Sequence, residues 1–210
     1  MGILVAGLIG QVRNKIGNMV MSNWKGINTA RAYAVPANPN STAQQAQRGK
    51  FATVVALAQN LLGTLITTFV NPFAVQMSGF NYFIKLFIAN ATSEGLVTAL
   101  CQVTKGTLES TSISSAIYNT STGDLEVTFP TSASGNGTSD DNVSLLVLDN
   151  ATNAVLGYGT NLGTRSVGSV NVTIPTGLLA ADLVAFIWLS RGTGSEFIVS
   201  NSIGSVCSAA

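Results

Sequence analysis

Residues 169–174 read Ser-Val-Asn-Val-Thr-Ile, and in this run Val170, Val172 and Ile174 alternate with Asn171 and Thr173. Successive side chains of a strand point to opposite faces, so a period of two predicts one face on a core and one in water. Pro175-Thr176-Gly177 closes the run with turn residues. Working outward, candidate strands lie at 113–119, 125–129, 143–148, 154–158, 167–174, 183–190 and 197–203. Stretches rich in Ser, Thr, Asn, Asp and Gly separate them, at 121–124, 132–141, 149–153 and 191–195. Seven short strands so spaced over about 100 residues predict an immunoglobulin-like or fibronectin-like sandwich.

Before residue 105 the pattern changes. Gly2, Gly7, Gly10, Gly17 and Gly26 break the start into pieces suited to short strands, read at 19–21 and 27–35 around a turn at 23–26. Pro36-Ala37-Asn38-Pro39-Asn40 stops the extended run. Ser41 with Gln44 then forms a capping box, and Phe51, Val55, Ala58, Leu62, Leu65, Ile66 and Phe69 follow at helical spacing. The spacing predicts one helix over 42–70, ended by Asn71-Pro72, and a second over 80–88 with Phe80, Phe83, Ile84 and Phe87 on one side. The expected class is α+β. A glycine-rich strand arm and a helical hairpin occupy 1–105, and an all-β immunoglobulin-like sandwich occupies 106–210.

Residues 51–70 carry no charge, and about 20 apolar residues suffice to cross a bilayer. Gln59, Asn60, Gly63, Thr64, Thr67 and Thr68 interrupt the run and favour a core helix packed on nearly all sides over a membrane span. The apolar start, 2–10, is short and glycine-broken, and its charges come after it, so no signal peptide is read there.

Charge divides the chain at the same place. The first 93 residues hold no Asp or Glu, and splitting after Lys105 leaves eight bases and one acid before it, two bases and eight acids after it. The total of +1 is therefore +7 followed by −6. Only 9% of residues are charged, against about 25% in an average soluble domain, and weak charge repulsion favours association. Arg13, Lys15, Trp24, Lys25, Arg31, Arg48 and Lys50 are the candidate contact residues, either for the acids of a neighbouring copy or for nucleic acid. Six bases across 38 residues is a thin density for a dedicated nucleic-acid binder, and contact with a second copy ranks first.

The chain contains no His, which removes Ser-His-Asp and Cys-His nucleophile pairs and His-ligated metals. Cys101 and Cys207 are too few for a metal cluster and are read as free thiols ahead of a single bridge. Asp140-Asp141 with Asp124 or Asp149 lacks the spacing of a calcium loop and is read as solvated turn carboxylates. No catalytic, cofactor-binding or metal-binding residue is assigned, and no cofactor is expected.

The runs GNMVMSNWKGINTARAY (17–33), NPNSTAQQAQRGKFATVVALAQNL (38–61), KGTL (105–108), GTRSVGSVNVTIP (163–175), VAFIWLSRGTG (184–194) and VSNSIG (199–204), in this order, resemble a family of uncharacterised proteins of Bacteroidota and their phages and prophages. The resemblance spans nearly the whole chain and implies a C-terminal sandwich but no activity and no catalytic residues. Together these readings lead to a non-enzymatic structural protein: a phage or prophage virion component, capsid, capsid-associated or tail, made in the bacterial cytoplasm. It would assemble with itself and with other virion proteins through the N-terminal module. The alternatives are a host-surface or glycan-binding module carried by loops 132–141 and 191–195, and a membrane-associated protein using 51–70.

Overall fold

Residues 2–3, 14–35, 37, 40–89, 99–150, 152 and 154–210 are described by a computed structural model. The arm forms β1 (Gly2–Ile3), β2 (Asn14–Ile16), β3 (Met19–Trp24) and β4 (Ile27–Ala32), an antiparallel sheet in the order β1-β4-β3-β2. Lys25 (φ 45°) and Gly26 (φ 83°) form the two-residue turn between β3 and β4. Two successive left-handed residues match the right-handed twist of a hairpin, and glycine adopts that conformation without a Cβ clash.

Helix α1 (Thr42–Asn60) starts where expected, with the Ser41 hydroxyl accepting from Gln44 N–H. The expected single helix over 42–70, however, breaks at Leu61. Residues Leu62–Val70 wind as a π-helix, and the two pieces meet at 91°. No proline causes this. Ile66 N–H reaches back five residues to the Leu61 carbonyl, while the hydroxyls of Thr64 and Thr67 donate to the carbonyls of Leu61 and Leu62. Side-chain donors inserted into the ladder widen the turn and bend the helix. The expectation that 51–70 is a helix covered on nearly all sides also fails, since Phe51 is 51% and Leu62 45% exposed. Among the described residues no single helix is long and apolar enough to cross a membrane. The chain then folds back through α2 (Gly79–Ile88), capped by the Ser78 hydroxyl, whose Phe83, Ile84 and Phe87 are buried as their spacing implied.

The remaining strands are β5 (Ser115–Tyr118), β6 (Asp124–Thr128), β7 (Asn142–Asp149), β8 (Val155–Thr164), β9 (Ser169–Thr173), β10 (Leu183–Arg191), β11 (Ile198–Val199), β12 (Ile203–Val206) and β13 (Ser208–Ala209). One sheet runs β13-β5-β6-β9. The other runs β11-β10-β7-β8, with β12 also on β10. Counting main strands, the first, second and fifth share one sheet and the third, fourth, sixth and seventh the other, an immunoglobulin-like division in which the fourth strand joins the third, as C′ does in variable-type domains. The expected final strand over 197–203 is two pieces. Ser200 and Ser202 interrupt it and turn their hydroxyls to receive the N–H groups of Leu189, Val103 and Thr104. Those bonds, with a parallel bridge between Leu108 and Ser200, dock the incoming chain beside β11. Gly106 passes so close that a Cβ there would lie 2.0 Å from the Val199 carbonyl oxygen.

Sheet β10-β7-β8 is the middle of three layers. On one face Val143, Leu145, Val147, Ala185, Ile187 and Leu189 pack against Leu125, Val127 and Val170 of the other sheet. On the opposite face Leu146, Leu148, Val184, Phe186 and Trp188 share a core with Leu57, Leu65, Phe69, Phe83 and Phe87 of the helices. The change near residue 105 therefore separates helical from strand sequence, yet both sides build one of the two cores. Trp188 sits at that junction, edge-on to Phe69 at 5.4 Å and stacked near Tyr158 at 6.3 Å. Cys101 lies in the helix-side core and Cys207 in the inter-sheet core, both buried and neither in a disulfide. Burial pushes the Cys207 thiol up to about 11 and the Tyr158 hydroxyl up to about 12.

Candidate interaction surface

A sheet normally hides at least one face against another layer. The arm sheet does not: none of the described side chains of β2, β3 and β4 is buried. Ile16, Met19, Trp24 and Tyr33 are each about half exposed, between 46% and 59%. The pairing register sorts its two faces. Met19 opposite Ala32, Met21 opposite Ala30 and Asn23 opposite Asn28 lie on one face, with Ile16 beside Met19. This face is uncharged and largely apolar. Val20 opposite Arg31, Ser22 opposite Thr29 and Trp24 opposite Ile27 lie on the other, with Lys15 beside Val20. Tyr33, one step beyond Ala32, falls on this second face, where Lys15 Nζ sits 3.6 Å from its ring centroid. A cation over an aromatic face is held there by the ring quadrupole. The second face is thus basic and aromatic, and no acid exists within the first 93 residues to neutralise it.

Strands β2, β3 and β4 of the arm sheet, the helices and nearly all of the sandwich fall inside one family match, from residue 10 to residue 204. The chain belongs to the family of unknown function DUF6266. No curated protein and no solved structure matches this DUF6266 chain.

The structure brings only some of the candidate contact residues of this DUF6266 protein together. Lys15, Trp24 and Arg31 share the basic face. Lys25 sits in the turn at its end and donates from Nζ to the Met77 carbonyl, a tie between sheet and helices. Arg48 and Lys50 belong to α1, a separate element, where Arg48 Nη1 lies 3.4 Å from Asn40 Oδ1. Arg13 lies outside the described residues. Ile16, Met19 and Met21 were not singled out from sequence, because three apolar residues on two short strands form a face only after the register is known.

Of the two carboxylates that end the loop at 132–141, both read as solvated, Asp140 is exposed but Asp141 is not. Asp141 is fully buried, accepts from the Thr138 amide and hydroxyl at 2.8 and 3.1 Å, and lies 2.8 Å from Arg191 Nε. Arg165 is also buried and reaches Glu109 at 3.3 Å. Hydrogen bonds from the Ser134 hydroxyl and amide, more than Arg165, hold the Glu109 carboxyl below its ordinary 4.5. Asn136 adds two backbone hydrogen bonds, to Glu109 N–H and the Thr107 carbonyl. The signal was present in the sequence: after residue 105 the chain has two bases, and both are spent pinning this loop. Among the described residues no group of three His, Cys, Asp or Glu is placed to hold a metal ion.

Proposed function

We propose that this protein is a non-enzymatic structural component that assembles with copies of itself through its N-terminal sheet, as part of a phage or prophage particle. One observation carries the reading: a four-stranded sheet with two unlike faces, on neither of which a described side chain is buried. Such a sheet is marginal alone and gains stability by burying a face against a partner. A second copy supplies a matching surface. On the outer face of β6, Asp124 and Glu126 are exposed, and the sheet β13-β5-β6-β9 contains no Lys or Arg. Opposite charges across such a contact fix register and orientation more than they add affinity. The virion setting rests on the family resemblance read from the sequence and on the low charge of the chain.

The test compares assembly by light scattering across a charge-reversal series. Lys15→Glu with Arg31→Glu, or Asp124→Lys with Glu126→Lys, reduces assembly while leaving the thermal transition in place. Combining all four restores it. A chain lacking residues 1–35 that still assembles like the full chain sinks the proposal.

A further inference from the structure

The helical layer does not cover the whole face of the middle sheet. Along β10 the helix-side positions run Val184, Phe186, Trp188 and then Ser190. Along β7, in the opposite direction, they run Leu148, Leu146, Ser144 and then Asn142, which pairs with Ser190. Where the helices stop, this face changes from apolar to neutral polar. An open cleft of about 460 Å³ lies there, within the range of small-ligand sites, between the end of the π-helix and the β10–β11 loop. Phe69, Pro72 and Phe197 supply its apolar floor.

Three features build this cleft. The register of β8 against β7 shifts between Val143 and Leu145, so Thr160, Asn161 and Leu162 stand opposite Ser144 alone. That bulge re-aims Asn161 into the cleft, with its backbone at φ 53° and its N–H on the Ser144 hydroxyl at 3.4 Å. Second, the π-helix contributes its last turn, a geometry that recurs at functional sites. Third, the charged group nearest in sequence, Arg191, is turned to the Asn136 carbonyl and Asp141. Every residue lining the cleft is uncharged. The side chains of Asn142, Asn161 and Thr193 make no hydrogen bond to other described residues.

We propose that this cleft binds a neutral saccharide. A charged ligand would lose hydration with no countercharge to replace it. A purely apolar ligand would leave the amides and hydroxyls of the rim unpaired. A sugar ring offers C–H groups to Phe197 on one side and paired donors and acceptors to Asn142, Asn161 and Thr193 on the other. None of the residues lining the cleft belongs to the arm sheet.

The experiment is saturation-transfer NMR on the full-length chain with glucose, galactose, mannose, N-acetylglucosamine, maltotriose and cellotriose. Sialyllactose serves as the acidic control and the peptide Gly-Ala-Gly as the amide control. The expected result is transfer from at least one neutral sugar, with a dissociation constant at or below about 10 mM. Asn142→Ala and Asn161→Gly, the latter chosen to keep the left-handed backbone, each weaken it roughly threefold to tenfold. Phe197→Leu weakens it while keeping the apolar floor filled, and thermal melts of all three variants establish that they fold. No transfer from any neutral sugar overturns the proposal. So does binding that all three variants leave unchanged, or equal transfer from sialyllactose or the peptide.

Discussion

Replacing Trp188 by alanine tests the three-layer architecture at its junction. The side chain is fully buried and is shared by the helical layer and the middle sheet. Truncating a buried Trp or Phe to Ala costs about 3–5 kcal/mol, from lost transfer free energy and the cavity left behind. For a chain of this length each kcal/mol moves the melting temperature by about 2–4 °C, so the midpoint falls by about 6–20 °C. Trp188→Phe behaves differently. The indole N–H is buried with no acceptor among the described residues, and an unpaired buried donor costs about 1–3 kcal/mol. Phenylalanine removes that donor while filling most of the site, so its net cost stays below about 1.5 kcal/mol. The assay is thermal unfolding of each variant followed by far-UV circular dichroism; for the parent core, fluorescence in a Trp24→Phe background, where Trp188 is the remaining indole, follows the same transition. Helix and strand signals should fall in one transition, because the two layers share a core. A Trp188→Ala loss under about 1 kcal/mol, or separate helix and strand transitions, refutes the packing argument.

Three further outcomes are expected. Glu109 has a folded pKa below its ordinary 4.5, so its contribution is complete above that value and is lost as pH falls through the folded value. Hydrogen-exchange protection factors at 132–141, taken relative to the intrinsic rate at each pH, should therefore fall on acidification, and Glu109→Gln should remove that pH dependence of protection. Cys101 and Cys207 should resist a thiol reagent in the native protein and react after denaturation, since both are buried and the Cys207 thiol is pushed up to about 11. Gly106→Ala should lower the melting temperature, because its Cβ collides with backbone that cannot move without breaking the Leu108–Val199 hydrogen bond at 3.1 Å.

The alternation at 169–174 was enough to place β9, with Val170 buried and Asn171 exposed, and similar patterns located most of the sandwich. The run Leu-Val-Ala-Phe-Ile-Trp-Leu-Ser over 183–190 does not alternate at all, and every residue in it is buried. A continuous apolar strand of that kind signals cover on both faces, as in sheets packed between layers. Read for its period alone it yields a strand but not the helical layer lying on it. The bend at Leu61 was illegible for a different reason. It comes from threonine hydroxyls competing for carbonyls, and the same threonines are tolerated in straight helices. The basic residues of the arm were visible as composition. Their sorting into one face came from backbone register, so Lys15 and Arg31 are joined across β3 while Arg48 and Lys50 belong to another element.

The order of the layers along the chain has a consequence for synthesis. The apolar faces of α1 and α2 precede the strands that cover them, β7 and β10, and β10 follows α2 by roughly 95 residues, a delay of about 5–20 s at ordinary elongation rates. Closure waits longer still. The chain leaves β12 on one sheet, crosses at Cys207 and lays β13 beside β5 on the other, so a segment that follows β10 in the chain stitches the two sheets together. A nascent chain stalled before residue 183 should thus remain sensitive to protease across 57–87, and become resistant once β10 has emerged and packed.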